Sequence, residues 1–411
     1  MRKTLYQLLD EISFTRTSGT KEELKCANMI KEEIKAIGGV AEIVPFEVTQ
    51  TKFSKVGLKT TNKEYEVTGY KQAKVTEEEG LTAQFYYMQS NDKIDKYYAK
   101  DKIVLVNGYL RKPMYEALTN AQAVGFISFA GDVYDENADI DIRELRSTFF
   151  EDGILPGVHM RTIDAMNLVK ENPKEITLTL RKEELMVNSH NVIAEIKGTK
   201  YPDEVIVYTA HYDSVLFSKG AYDNGAGSVI LVKLFEYFYN NKPTRTVRFI
   251  WCGSEERGLL GSKAYVANLE EKELEKIVLN VNVDVAGTVL GKDSAVIIGD
   301  DAFKHMVDYL AKEVAFPIGV SQDIYSSDCI PFADKGIPAI NFMRFGSNES
   351  AHIHDRYDTM HFISNESLEN TYSFIELFSK KLQEYIIFPI DKKIPSDLVQ
   401  KVDKYLMKKD K

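Results

Sequence analysis

The 411-residue sequence predicts an α/β fold: a mostly parallel mixed sheet flanked by helices, with a β-rich unit inserted near its amino-terminal end. Three observations predict it. From Asn191 onward the apolar runs EVIVYTA, TVRFIWCG, IVLNVNVD and IPAINF alternate with helical stretches, and such alternation implies a mostly parallel sheet covered on both faces. Residues 1–39 have helical periodicity. Between about residue 46 and residue 187 the pattern shifts to short alternating runs, which suit strands.

Taken in order, Leu5, Leu8, Leu9 and Ile12 fall at helical spacing. After the TRTSGT turn a second helix is predicted from about Glu22 to Ile37, ending at Gly38-Gly39. Short strands such as EYEVTGY occupy Phe46 to Val75. KIVLVNGYL, a helical MYEALTNAQA, VGFISFAG and GILPGVHM then describe a small β-rich unit with one or two helices. Beyond it, helices are predicted over Gly225 to Tyr239, Leu260 to Leu269 and Ala302 to Val314. The closing KVDKYLMKKDK reads as a solvated helix. These elements divide the chain into residues 1–45, an insertion over 46–187, a second part of the main domain over 188–390, and a helical tail over 391–411.

Bulk properties exclude several functions. The chain is 44% hydrophobic, ample for a large core and more than one ordinary domain. A formal net charge of -10 disfavours nucleic acid, whose phosphates attract basic faces. No apolar run reaches the about 18 residues that a membrane span needs. The amino-terminal helix meets Asp10 and Glu11 too early for a signal peptide. Three cysteines, Cys26, Cys252 and Cys329, without CxxC spacing suggest neither a disulfide framework nor a thiolate zinc site. A cytoplasmic protein is the expectation.

The chemistry is carried by polar residues at strand ends, where parallel sheets bind ligands. His211 and Asp213 follow EVIVYTA, Glu255 and Glu256 follow TVRFIWCG, Asp284 ends IVLNVNVD, and His354 and Asp358 lie in AHIHDRYDT, soon after IPAINF. The loop HYDSVLFSKGAYDNGAG adds Asp223. Singly, each has a bland reading: a surface histidine, an Asp223-Asn224 helix cap, a solvated Glu255-Glu256 pair. A phosphate loop is excluded, because no GK[ST] follows and Asp223 repels phosphate. Jointly, two histidines and three carboxylates suit a pair of divalent metals such as zinc. Asp213, two residues from His211, is placed to orient its imidazole.

HYDS, YDNGAG, EERGLLGS, NVDVAG and HDRYDT, in that order, resemble the co-catalytic di-zinc peptidase family, which includes leucyl aminopeptidases and glutamate carboxypeptidase. RTSGTKEELKCANMIKEEI resembles that family's opening helix, and the similarity covers roughly 1–40 and 190–390. The β-rich unit resembles the protease-associated domain that such peptidases often carry as an insertion. The resemblance implies the zinc-dependent exopeptidase fold and two divalent metal ions, zinc. It places His211 and Asp284 on one, Glu256 and His354 on the other, and Asp223 as bridge. It makes Glu255 the general base, Asp213 the partner of His211, and implies a non-proline cis peptide after Asp284.

The function so implied is a metallo-aminopeptidase acting on peptide substrates. A carboxypeptidase on the same scaffold is the main alternative; a glutaminyl cyclase or a receptor-like binding protein fits a complete ligand set less well. Two departures stand out. The family's tyrosine before the last histidine is Ile353 here, leaving Tyr325 or metal alone as oxyanion partner. SSDCIPFADKGIP has Cys329 where the family pattern has histidine, and its plain reading is a capped helix start. His352 competes with His354 as ligand, but the HxxxDT spacing to Asp358 and Thr359 favours His354.

Overall fold

A computed structural model describes residues 2–108, 110–145, 154–347 and 349–408. The chain forms two compact units: Met1–Val48 together with Val187–Lys411, and Thr49–Met186.

In the first unit the sheet order is Ile318–Gln322, Lys292–Ile298, Ala339–Phe345, Ile277–Val283, Tyr201–His211, Arg245–Cys252, then the later part of Glu175–Ile196. Tyr201–His211 is parallel to both neighbours, and Ile277–Val283 is parallel to Ala339–Phe345. Glu175–Ile196 and Lys292–Ile298 pair antiparallel with Arg245–Cys252 and Ala339–Phe345. The sheet is therefore mixed and mostly parallel. Its central strands are apolar on both faces because helices cover both.

Local chemistry sets the helix ends. Thr4 and Gln7 form a reciprocal capping box for Leu5–Ile12, whose Leu5, Leu8, Leu9 and Ile12 are buried. Thr20 caps Lys21–Ile37, which stops at Gly38, φ 103°. A Cβ there would come 2.5 Å from the Tyr239 hydroxyl, so glycine is required twice over. The long apolar helix Ala226–Asn240 shares one core with these two helices and with Tyr208, Phe249 and Trp251 of the central strands. Tyr208 stacks on Phe249 with ring centroids 5.0 Å apart.

Several elements differ from the sequence reading. The edge strand Ile318–Gln322 and its neighbour Lys292–Ile298 lack long apolar runs, and the helix Asn365–Glu384 was masked by its polar face. One long strand, Ala41–Lys59, replaces the first of the short runs. The carboxyl-terminal helix is Ser396–Tyr405, and it is not simply solvated: Leu398 and Val402 are buried. Residues 409–411 of that segment lie outside the described residues.

The second unit has its own core, centred on Val104, Tyr115, Phe126 and Val158. Leu81–Met88, Ile103–Val106, Gly125–Ala130 and Gly157–Arg161 run parallel in succession. The helices Lys93–Ala99, Lys112–Asn120 and Thr162–Glu171 connect or follow them. Among the described residues no helix is long and apolar enough to cross a membrane.

Candidate metal centre

The centre is built on the carboxyl ends of neighbouring parallel strands. His211 ends Tyr201–His211 and pairs in register with Cys252, the last residue of the adjacent strand. On the other side Thr209 pairs with Asn282, which brings Asp284 level with His211. Glu255 and Glu256 sit in a single 3-10 turn, Glu255–Arg257, entered through Ser254 at φ 55°. Asp223 lies in the irregular turn Ala221–Gly225 that precedes Ala226–Asn240. His354 arrives in the loop that follows Ala339–Phe345.

Asp223 stands between the two histidines. Its Oδ1 is 3.1 Å from His211 Nε2, and its Oδ2 is 3.1 Å from His354 Nε2. On the first side Asp284 Oδ1 lies 3.5 Å from His211 Nε2. On the second, Glu256 Oε2 lies 3.1 Å from His354 Nε2. Glu255 Oε2 is 3.9 Å from His211 Nε2, facing the cluster at longer range. Donor atoms of His211, Asp223 and Glu256 all fall within 4.8 Å of one another. The structure thus brings all six of these residues together as two half-sets joined by Asp223.

The electrostatics describe a site short of cations. Burial pushes the Glu255 carboxyl well above its usual range despite the nearby His211. Burial and the charge of Asp223 push Glu256 up to about 7, and burial raises Asp284 as well. Burial opposes a charged His354, yet Asp223 and Glu256 hold its pKa up to about 12. His211 is likewise raised, against burial, by Glu255, Asp213, Asp223 and Asp284. Glu256 Oε1 and Asp284 Oδ1 are buried without a hydrogen-bond partner. Imidazole nitrogens, carboxylates and orphaned oxygens in this arrangement fit a pair of divalent ions that take nitrogen and oxygen donors, zinc above all.

Surrounding residues hold the donors in place. Asp213, fully buried, accepts the backbone N–H of Glu255 at 3.0 Å and of Glu256 at 3.3 Å. Its carboxylate is 3.5 Å from His211 Nδ1, so its closer engagement is with the glutamate turn. Asp358 accepts the backbone N–H of Tyr222 and Asp223, fixing the bridging position. Asn224 accepts from the N–H of Gly227 and Val285 and donates to Val283, tying the Asp223 turn to the strand that ends beside Asp284.

Other sequence readings change. Among the described residues the non-proline cis peptide lies between Asp223 and Asn224, not after Asp284, which is followed by Val285 at φ 50°. His352 turns away and pairs with Asp355 at 3.0 Å. Asp328 precedes the helix Cys329–Ala333 but makes no side-chain cap bond. It is buried, accepts the Ser262 hydroxyl, and has its pKa pushed up to about 6 by burial. Tyr325 is close enough to Asp284 and Asp223 for their charges to add to the effect of burial in raising its phenol. Arg16, Glu23 and Ser254 were missed altogether. Arg16 and Glu23 had one signal, RTSGTKEE, a segment without any metal donor pattern, and Ser254 had none.

Comparison with known proteins agrees with this architecture. The sequence model of peptidase family M28 matches residues 191–378. Aminopeptidase YwaD of Bacillus subtilis (strain 168) is 32% identical over 382 residues, 89% of this chain and 80% of that protein. Leucine aminopeptidase 2 of Trichophyton rubrum is 37% identical over 147 residues, 33% of this chain and 30% of that one. Among solved structures, BSAP, a zinc aminopeptidase from Bacillus subtilis, superposes with a TM-score of 0.78 at 25% identity, covering 95% of this chain and 98% of that one. An aminopeptidase from Aneurinibacillus sp. strain AM-1 shares the fold, with a TM-score of 0.71 at 24% identity over 94% of this chain and 97% of that one.

Proposed function

The chain belongs to peptidase family M28, and from that premise we propose that the cluster around Asp223 is the centre of a zinc-dependent aminopeptidase. The observation that carries the proposal is the division of the Asp223 carboxylate, one oxygen toward His211 and the other toward His354. A bridging carboxylate has that form.

Two zinc ions held there would supply Lewis acidity and a water of lowered pKa, from about 15.7 toward ~7. His211 and Asp284 would hold one, His354 and Glu256 the other, and Asp223 would serve both. Glu255 is the general base. It faces the cluster, its burial keeps the carboxyl basic, and it takes the proton of the attacking water and passes it to the leaving amine. Asp213 fixes the turn on which Glu255 and Glu256 separate into these two roles. Tyr325, near the acids, serves as oxyanion donor in place of the family tyrosine replaced by Ile353.

Peptides with a free amino terminus are the substrates. Residues 46–187 are read as a protease-associated insertion, a reading supported by their separate β-rich core. A cytoplasmic location is consistent with three buried, unbridged cysteines. The test compares hydrolysis of a leucyl peptide with its N-acetylated and C-amidated forms. Activity lost on acetylation and kept on amidation supports an aminopeptidase; the reverse pattern would make it a carboxypeptidase.

A further inference from the structure

The segment RTSGTKEE, Arg16 to Glu23, holds none of the proposed metal donors, yet it is bonded into two of the segments that present them, the loop leading to Asp223 and the turn of Glu255 and Glu256. Arg16 is fully buried. Its guanidinium donates to the backbone carbonyls of Phe14, Tyr212, Lys219 and Gly220, so it grips the loop that delivers Asp223. Glu23, in the first turn of Lys21–Ile37, is also fully buried. The Ser189 hydroxyl donates to its Oε1 at 2.6 Å, and the Gly19 N–H donates to its Oε2 at 2.8 Å. The Ser254 hydroxyl donates to Ser189 at 2.7 Å, lies 3.4 Å from Glu23 Oε1, and lies 2.5 Å from the Ser18 hydroxyl.

Ser254 is the residue before Glu255, and its φ of 55° places it in the left-handed region that side-chain-bearing residues avoid. Such a conformation persists where surrounding contacts over-determine it. Three side chains, Ser18, Glu23 and Ser189, none more than 8% exposed, do so here. One side of the Glu255–Glu256 turn is therefore held by Asp213 through the backbone, and its entry by Glu23 through two serines.

We infer that Glu23 is a positioning residue for the hydrolysis, fixing Glu255 through Ser189 and Ser254, and that RTSGTKEE is a brace for the reacting groups. This rests on Glu255 being the base. A network serving only stability would affect the unfolding midpoint and leave turnover per folded molecule alone. A positioning network sets the base to within a fraction of an ångström, and a displacement of ~1 Å costs about 10²-fold in rate.

The test uses the full-length zinc-loaded protein with leucine 4-nitroanilide, comparing Glu23→Ala, Glu23→Gln, Ser189→Ala and Glu255→Gln. Glu23→Ala and Ser189→Ala are expected to lower kcat by about 10- to 100-fold, with KM little changed and two zinc ions retained. Glu23→Gln keeps an acceptor for Ser189 and should recover part of the loss. In the metal-free protein, the Glu255 and Glu256 amides should exchange hydrogen faster in Glu23→Ala than in wild type. Folded Glu23→Ala and Ser189→Ala with wild-type kcat, or losses that merely follow zinc release, would overturn the brace. If Glu23→Ala does not fold, Ser189→Ala and Glu23→Gln decide it by the same criteria. Normal turnover in Glu255→Gln would instead overturn the base assignment, and the brace with it.

Discussion

Glu256 Oε2 stands 3.1 Å from His354 Nε2. Its chain neighbour Glu255 faces the other histidine at 3.9 Å. Adjacent acids of one turn thus face different histidines, as the proposed ligand and base require. Glu255→Gln is expected to keep both zinc ions and lose ~10²–10⁴-fold in turnover, the range for a positioned general base. Glu256→Gln should weaken one zinc and regain part of its activity in excess metal. Zinc content and kcat of the two variants check this; loss of zinc from Glu255→Gln alone would reverse the roles.

Zinc uptake should release protons. In the metal-free protein the pKa of His354 is raised from 6.5 to about 12 by Asp223 and Glu256, against the effect of burial. The imidazolium therefore stabilises the metal-free fold fully below about 6.5, and that contribution is lost as pH rises toward 12. Zinc takes the neutral ring, so it competes with this proton and its affinity rises with pH across the window. Calorimetric titration with zinc at neutral pH, in buffers of different ionisation enthalpy, measures the protons released. Heats independent of buffer would contradict it.

Chelation should abolish hydrolysis while the sheet and helices persist, since the metal centre lies at the strand ends beyond the core. Far-ultraviolet dichroism of the metal-free protein should be close to that of the zinc form, and zinc should restore activity. Global unfolding on chelation would show that the ions are structural.

Glu23 gives a stability signature away from the ligands. Burial, then the charge of Asp213, raises its pKa from 4.5 to about 8. A raised carboxyl stabilises the fold below about pH 4.5 and loses that contribution as pH rises through 8. Glu23→Gln, with no proton to lose, should show a smaller fall in urea midpoint between about pH 5 and pH 8.5 than wild type. An equal or larger fall would refute the assignment.

Trp251, the single tryptophan, is fully buried and donates to the Ser228 carbonyl at 2.9 Å. Trp251→Ala should cost about 3–5 kcal/mol of stability through the cavity it leaves. Denaturant unfolding followed by dichroism checks this; a cost below about 1 kcal/mol would show that the site collapses around the gap.

The proposed metal donors were legible where they follow strand-length apolar runs, because a run that stops at a polar residue marks a sheet rim. His211, Glu256 and Asp284 each announce themselves that way. Lys292–Ile298 did not, since Lys292, Asp293 and Ser294 break its apolar character. Arg16, Glu23 and Asp328 were illegible for another reason. Each is a buried polar group whose partner lies far along the chain, as Glu23 does from Ser189 and Ser254, and periodicity carries no information about such pairs. The position of the cis bond was misassigned because nothing in residue identity at Asp223 or Asp284 distinguishes the two peptide planes.

Arg16 and Glu23 lie before the unit Thr49–Met186, while the loops of the centre that they hold, through Gly220 and through Ser189 and Ser254, lie after it. On the ribosome, therefore, the first residues of the centre emerge long before their partners. At a synthesis rate of about 5–20 residues per second, roughly twenty seconds to a minute separates Glu23 from His354. For that interval the nascent chain holds a helix without a core and no assembled centre. Hydrolytic capacity thus arrives only after His354 has been made, as an outcome of the order in which the segments are made.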